Sequence, residues 1–232
     1  MSTLSAFQTI LTGENGHLLL QGVAGTLVLA IASWATAFLV GIVLATLRMT
    51  RVRVLEWLVV VFVEYQRNVP PLVHIFLWYF GVPQLLPDVV QDWLNANHGE
   101  FYLSVVAIAL YYGAYISEDI RSGLRSVPWG QHEAARAIGL SYLGSMRRVV
   151  LPQAMRHAIP PLVSGSILLV KTTSLAMVIG VVELTYVTKD IANRTFLTFD
   201  VFGISTAIYV VIALSLMWLG AVVARRTRLP GR

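Results

Sequence analysis

Cysteine is absent from the 232-residue chain, which excludes a disulfide framework, a thiolate zinc site and a cysteine nucleophile. Charge is nearly as scarce: 12% of residues are Asp, Glu, Lys or Arg, about half of the ~25% usual in soluble domains. That scarcity removes the water-facing surface a globular protein of this size needs. A hydrophobic content of 56% and a mean hydropathy of +0.71 say the same. A solution enzyme or a nucleic-acid-binding protein is therefore excluded, in spite of a pI near 9.7. Also missing is any Lys or Arg ahead of the first apolar run, where a cleavable signal peptide carries its positive region. That run is expected to be a retained spanning helix, and the chain an integral membrane protein.

What is present is a series of apolar runs near the roughly 20 residues that cross a bilayer. Five spans are expected, at about 22–46, 55–80, 101–120, 158–182 and 201–224. Residues 1–21 precede them and residues 225–232 form a short tail. The net charge of +5 is read by position, because basic residues mark the cytoplasmic side. Arg48, Arg51 and Arg53 separate spans one and two. Arg121, Arg125, Arg136, Arg147, Arg148 and Arg156 separate spans three and four, and Arg225, Arg226, Arg228 and Arg232 follow span five. Thirteen of the 17 basic residues thus lie on one side. The other side carries Glu14, Asp88, Asp92, Glu100, Asp190 and Asp200 against only Lys189 and Arg194. The expected orientation is N-terminus outside, with residues 1–21 periplasmic, and C-terminus inside. Within the outer loop 81–100, Leu85-Leu86, Val89-Val90 and Trp93-Leu94 recur at helical spacing and predict a short amphipathic helix.

The inner segment 121–157 is the only sizeable polar region. Gly130 to Ile138 suits a short helix with Gly139 just past its end. Glu133 is then expected in its first turn, where the dipole favours a carboxylate. Ser141 suits the N-cap of a second helix, which Pro152 is expected to disrupt.

Three spans carry polar stripes. Glu64, Arg67, Pro71 and His74 share one helical face, as do Ser104, Tyr111, Tyr115 and Glu118, and again Ser164, Lys171 and Ser174. An ionisable group near mid-bilayer costs about 2.5–3.5 kcal/mol and marks function by default. Arg67 and Lys171 are such groups. One reading places all these residues along a transport path, with Arg67 gripping a substrate carboxylate, Lys171 adding positive field, and Glu64 or Glu118 receiving an ammonium. The other pairs Glu64 with Arg67 and Glu118 with Arg121 internally. Pro70 and Pro71 free backbone carbonyls in mid-span, tolerable only against protein or a cavity, so a helix break is expected there.

Glu133-Ala134-Ala135, three residues, Gly139, nine residues, then Val149-x-Leu151-Pro152 resembles the EAA loop of ATP-binding-cassette importer permeases. The resemblance extends along nearly the whole chain. Ala114-Tyr115-x-x-Glu118-x-x-Arg121-x-Gly123, Ser126-Val127-Pro128-x-Gly130-Gln131 and Lys171-x-Thr173-Ser174-Leu175 are similar to the polar amino-acid branch. Arg67-Asn68-Val69-Pro70, Trp78-Tyr79, Leu85-Leu86-Pro87 and Arg228-Leu229-Pro230-Gly231 look most like its glutamate/aspartate permeases.

The resemblance implies an all-α, type I importer (MetI-like) permease of the bacterial inner membrane. Glu133, Ala134, Ala135, Gly139, Leu151 and Pro152 would couple it to an ATPase. Its implied partners are two copies of an ATP-binding subunit, a second permease chain (identical or similar), a periplasmic solute-binding protein and an amino acid. No P-loop occurs, since no Gly precedes a Lys. ATP and Mg would be bound by the partner, this chain needing no metal or cofactor and doing no covalent chemistry. The alternative is a secondary transporter or channel without an ATPase, for which repeats are expected and none is visible. A membrane enzyme would need a pattern such as H-E-x-x-H or G-x-S-x-G, and neither occurs.

Overall fold

The computed structural model describes residues 8–50 and 52–226. Residues 1–7, Arg51 and the tail from residue 227, with its Arg228 to Gly231 motif, lie outside them. Every regular element among the described residues is helical. Four stretches are long and apolar enough to cross a membrane: Gly13–Met49, Gly99–Arg125, Tyr142–Ile179 and Thr198–Arg225.

Helix α1 (Gly13–Met49) inverts the soluble pattern. Apart from Leu19 and Leu29 its buried residues are small or polar, running through Gly22, Thr26, Ala30, Ser33, Ala37, Gly41 and Ala45, while Leu20, Ile31 and Leu39 face outward. In lipid the apolar side chains lose nothing by exposure, and small residues let helices approach closely. The partner is α5 (Gly99–Arg125). A Cβ on Gly41 would stand 2.5 Å from Ile116 Cγ2, and one on Gly113 would stand 2.6 Å from Val40 Cγ1. The two glycines bring the backbones into contact, and α5 becomes the central post of the fold. Leu29, Ala37, Ile108, Ala109, Tyr112 and Leu169 form the core around it.

The second expected span is not one helix. It consists of α2 (Arg53–Asn68), an extended Val69 and α3 (Pro71–Phe76), continued by a π-helical turn at Leu77–Gly81 and a 3-10 turn at Val82–Leu85. The cause is the proline pair: neither Pro70 nor Pro71 has an N–H to donate, and a residue preceding proline is pushed to extended backbone. The predicted outer helix is α4 (Asp88–Ala96), which buries Leu94.

α5 also packs against α8 (Leu151–Thr172), which the chain reaches through the two inner-loop helices α6 (Trp129–Ala137) and α7 (Tyr142–Ser145). Pro152 does not disrupt the chain as the sequence suggested. A π-helical turn at Met146–Val150, closed by Leu151 N–H to the Met146 carbonyl, absorbs the missing donor, and the helix runs on. The second inner-loop helix and the fourth span are thus one continuous stretch, Tyr142–Ile179. It ends in a 3-10 turn (Thr173–Ile179), followed by α9 (Leu184–Thr195) and α10 (Thr198–Arg226). Apart from its first turns, where Val201 and Ile204 pack under α9, α10 is mostly exposed.

Candidate functional site

The inner loop is held in shape by local chemistry. Helix α6 ends in a Schellman motif: Leu140 N–H reaches the Ala135 carbonyl at 3.2 Å and Gly139 N–H reaches Arg136 at 3.0 Å. Gly139 has φ +89°, where a Cβ would be strained. Ser141 caps α7 as expected, its Oγ accepting from Gly144 N–H at 3.1 Å. Two sequence readings change. Because α6 starts at Trp129, Glu133 sits in its second turn, beyond the strong end of the dipole. And His132, given no role from sequence, is buried and joins α6 to α7 through Ser145 Oγ, 2.8 Å from its Nδ1. Of the EAA residues only Ala135 is buried; Glu133, Ala134, Gly139, Leu151 and Pro152 are exposed. Beside them Ile138 and Leu143 are 79% and 75% exposed.

Next to this loop lies an ion cluster. Glu118 pairs with Arg48, from the end of α1, and lies 3.7 Å from Arg121. The structure therefore shows Glu118 bound between two arginines at the basic end of the bundle.

At the proline break the polar residues of two spans meet. Pro70 and Pro71 leave the carbonyls of Gln66 and Arg67 without their helical donors. His74 Nε2 stands 3.3 Å from the Gln66 carbonyl, and Tyr115 O–H donates to the Arg67 carbonyl at 3.4 Å. Both freed groups are thus captured by residues singled out from sequence, and His74 donates through Nε2. Tyr111 completes the group, its hydroxyl 3.3 Å from Tyr115 Oη and its ring 5.7 Å from His74. The Arg67 guanidinium lies 5.3 Å over the Tyr115 ring and only 4.0 Å from Glu64, whose other oxygen takes a bond from Asn68. Its charge also acts on half-buried Asp119, a neighbour the sequence reading missed. The helix break means that Glu64, Arg67, Pro71 and His74 do not share one continuous helical face.

Lys171 and Ser174 stand elsewhere, in a cavity of about 380 Å³ that also takes in Thr206 and Tyr209 of α10. None of the Arg67 group lines it. Tyr209 leads to the second residue missed from sequence, Glu183. This carboxylate is fully buried and caps α9, accepting from Thr185 N–H at 2.9 Å, Tyr186 N–H at 2.7 Å and Tyr209 O–H at 2.8 Å. Thr26 of α1 bridges the cap, its Oγ1 accepting from Leu184 N–H at 3.1 Å and its hydroxyl donating to the Glu183 carboxylate at 3.5 Å. Burial pushes the Glu183 carboxyl up and the bonds from Thr185, Tyr186 and Tyr209 oppose that shift. The available signal was an acidic residue immediately before a helical run, the N-cap position.

A helical membrane bundle with an exposed helix-turn-helix at its basic end and a broken span carrying polar residues fits the membrane subunit of a transporter. Residues 37–229 match the family described as the binding-protein-dependent transport system inner membrane component, and the chain belongs to that family. It is 35% identical over 215 residues to the glutamate/aspartate import permease protein GltJ of Escherichia coli, covering 91% of this chain and 87% of that one. The probable glutamine permease GlnM of Bacillus subtilis is 33% identical over 203 residues, covering 88% and 90%. The nopaline transport system permease NocM of Agrobacterium fabrum is 38% identical over 195 residues, covering 84% and 81%. Among solved structures, an amino acid ABC transporter matches with a TM-score of 0.83 and 29% identity, covering 97% of this chain and 99% of that one. The MetNI methionine transporter, in an inward-facing conformation, shares the fold with a TM-score of 0.72, 18% identity, and coverage of 94% and 100%. The chain is the multi-pass permease subunit of an amino-acid ABC importer.

Proposed function

We propose that the chain carries glutamate or aspartate inward across the bacterial inner membrane, as one of two permease chains served by a periplasmic binding protein and two ATPase subunits. The observation that carries the substrate reading is the Arg67 guanidinium: it sits at the proline break, 39% exposed, held by a ring face and a 4.0 Å carboxylate contact. Such a group can exchange Glu64 for a substrate carboxylate at little cost. Lys171, in its open cavity, offers a second cation to an acidic side chain, and Glu64 is left to receive the ammonium. Identity does not separate the substrates, since the glutamate/aspartate, glutamine and nopaline permeases stand at 35%, 33% and 38%; the choice rests on the two cations, Arg67 and Lys171.

In this mechanism ATP and Mg belong to the partner, and this chain transmits motion. The exposed Glu133–Ala134 edge and the apolar Ile138 and Leu143 dock on the ATPase subunit. Closure of two such subunits displaces α6 and α7. The displacement passes into the fourth span without an intervening loop, because Tyr142–Ile179 is continuous. The thirteen basic residues keep this face cytoplasmic. The cavity between the two permease chains then alternates between inward and outward access.

Competition for uptake tests the substrate assignment. Excess aspartate should abolish uptake of labelled glutamate by cells expressing the complete transporter, and glutamine or nopaline should leave it intact. Inhibition by glutamine with none by aspartate would move the assignment to a neutral amide. Arg67→Ala should lower glutamate uptake far more than membrane content of the protein.

A further inference from the structure

His132 is the one buried polar residue of α6. Its Nδ1 shares a hydrogen bond with Oγ of fully buried Ser145 at 2.8 Å. The exposed rings of Trp129 and Tyr142 stand 5.3 and 5.2 Å from the imidazole, the second edge-on, and cover the bond against water. A hydrogen bond in such low-dielectric surroundings is strong, and costly to leave unmade. The imidazole also borders a cavity of about 190 Å³, lined as well by Met49 of α1 and Leu124 of α5. α6 packs instead on α7 and on the π-helical turn at Met146–Val150.

Ser145 immediately precedes that turn. Beyond the turn and Pro152, Gln153 Nε2 donates at 3.3 Å to Oε1 of Gln131, the residue next to His132. The two side-chain attachments of α6 thus straddle the turn, one on each side. Sharp bends in helices fall at prolines and at π-helical turns, and both stand together here at the entrance to α8. A push on this end of the Tyr142–Ile179 stretch would bend it at that point and lose the motion. A strut fixed at Ser145 and Gln153 prevents the bend. The attachments are unequal: the glutamine pair is exposed, where water competes for both amides, so the buried His132–Ser145 bond supplies the stiffness.

We propose that His132 is a positioning residue of the coupling loop: by holding Ser145 it makes α6 a splint across the π-helical turn, so that displacement of α6 reaches α8 instead of being spent in bending. Given that α6 docks on the ATPase subunit, the reading on which this rests, His132 touches neither nucleotide nor solute and acts through Ser145 alone.

The complete transporter in proteoliposomes provides the test, with a labelled mixture of the common amino acids as probe and the amount accumulated per ATP hydrolysed as the readout. A merely structural residue would lower uptake and hydrolysis together and leave that ratio unmoved. His132→Ala should lower the ratio about fivefold, the factor that one net hydrogen bond commands. Ser145→Ala, a smaller change, should lower it as much, and the double variant no further. His132→Asn, whose amide reaches the place of Nδ1, should restore most of it. Because the chain has no cysteine, Gln131→Cys with Gln153→Cys gives one pair within it for a short, reducible bis-methanethiosulfonate linker. In the His132→Ala background the linker should restore the ratio and reductant should abolish the rescue, with linker-treated His132→Ala lacking the pair as control. An unchanged ratio in both His132→Ala and Ser145→Ala would overturn the splint, as would a lowered ratio that the linker fails to restore. Hydrolysis without accumulation by the unaltered complex would instead bring down the coupling reading itself, a failure told apart because it needs no substitution to be seen.

Discussion

Replacing His74 with Phe removes one hydrogen-bond donor and keeps the ring that packs edge-on against Tyr65, 5.3 Å away, and against Tyr111. The side chain is buried, so no water takes over. The Gln66 carbonyl, already deprived of its helical donor by Pro70, is left with no partner. The cost lies between about 0.6 kcal/mol, the average for hydrogen bonds inside membranes, and about 3 kcal/mol for a fully orphaned buried group. At roughly 2–4 °C per kcal/mol for a chain of this size, thermal unfolding of the purified complex should fall by about 1–12 °C. The decisive comparison is a double-mutant cycle with Pro70→Ala. Alanine restores an N–H at position 70, which returns a helical donor to the same carbonyl. In that background His74→Phe should cost close to nothing. An equal cost with and without Pro70 would refute the assignment of His74 as the donor that stabilises the break.

Three further outcomes are expected. Gly41→Leu drives side-chain atoms into Ile116, 2.5 Å from the Cβ position, and should lower stability by about 1–3 kcal/mol; Gly203→Leu, which meets nothing within 4 Å, is the control in the same melt. Glu118→Gln leaves Arg48 and Arg121 facing each other without their carboxylate, and should destabilise the inner end by up to about 3–5 kcal/mol, seen as faster proteolytic cleavage between α1 and α2. Gly139→Ala strains a left-handed residue by about 1–2 kcal/mol in open space, so it should lower the melting temperature by about 2–8 °C and reduce substrate-stimulated ATP hydrolysis.

How much of this was legible in the sequence depended on whether the signal was local. Uncharged runs specify helices in a bilayer because no other backbone satisfies itself there, and α1, α5 and α10 follow the expected spans, each end extended by two to nine residues. Gly139 and Ser141 were readable for the same reason, each cap being set within four residues. The proline pair was less direct. Pro160 and Pro161 form the same dipeptide yet stay inside α8. What distinguishes Pro70-Pro71 is the capture of both freed carbonyls by His74 and Tyr115, and the Tyr115 bond arises 48 residues away. Pro152 was misread because a π-helical turn can absorb one missing donor, and composition carries no mark of it. Glu183 and Asp119 escaped notice because their partners, Tyr209 and Arg67, are supplied by other helices.

The most direct test of the account is accumulation of labelled glutamate in proteoliposomes that hold the purified complex of this chain, its ATPase subunit and the companion binding protein. With ATP on the side of the coupling loop, glutamate should concentrate against its gradient, and omitting either ATP or the ATPase subunit should stop it. Accumulation by the permease chain alone, driven by a proton or sodium gradient, would contradict the claim that transport here is powered through the Glu133–Gly139 loop.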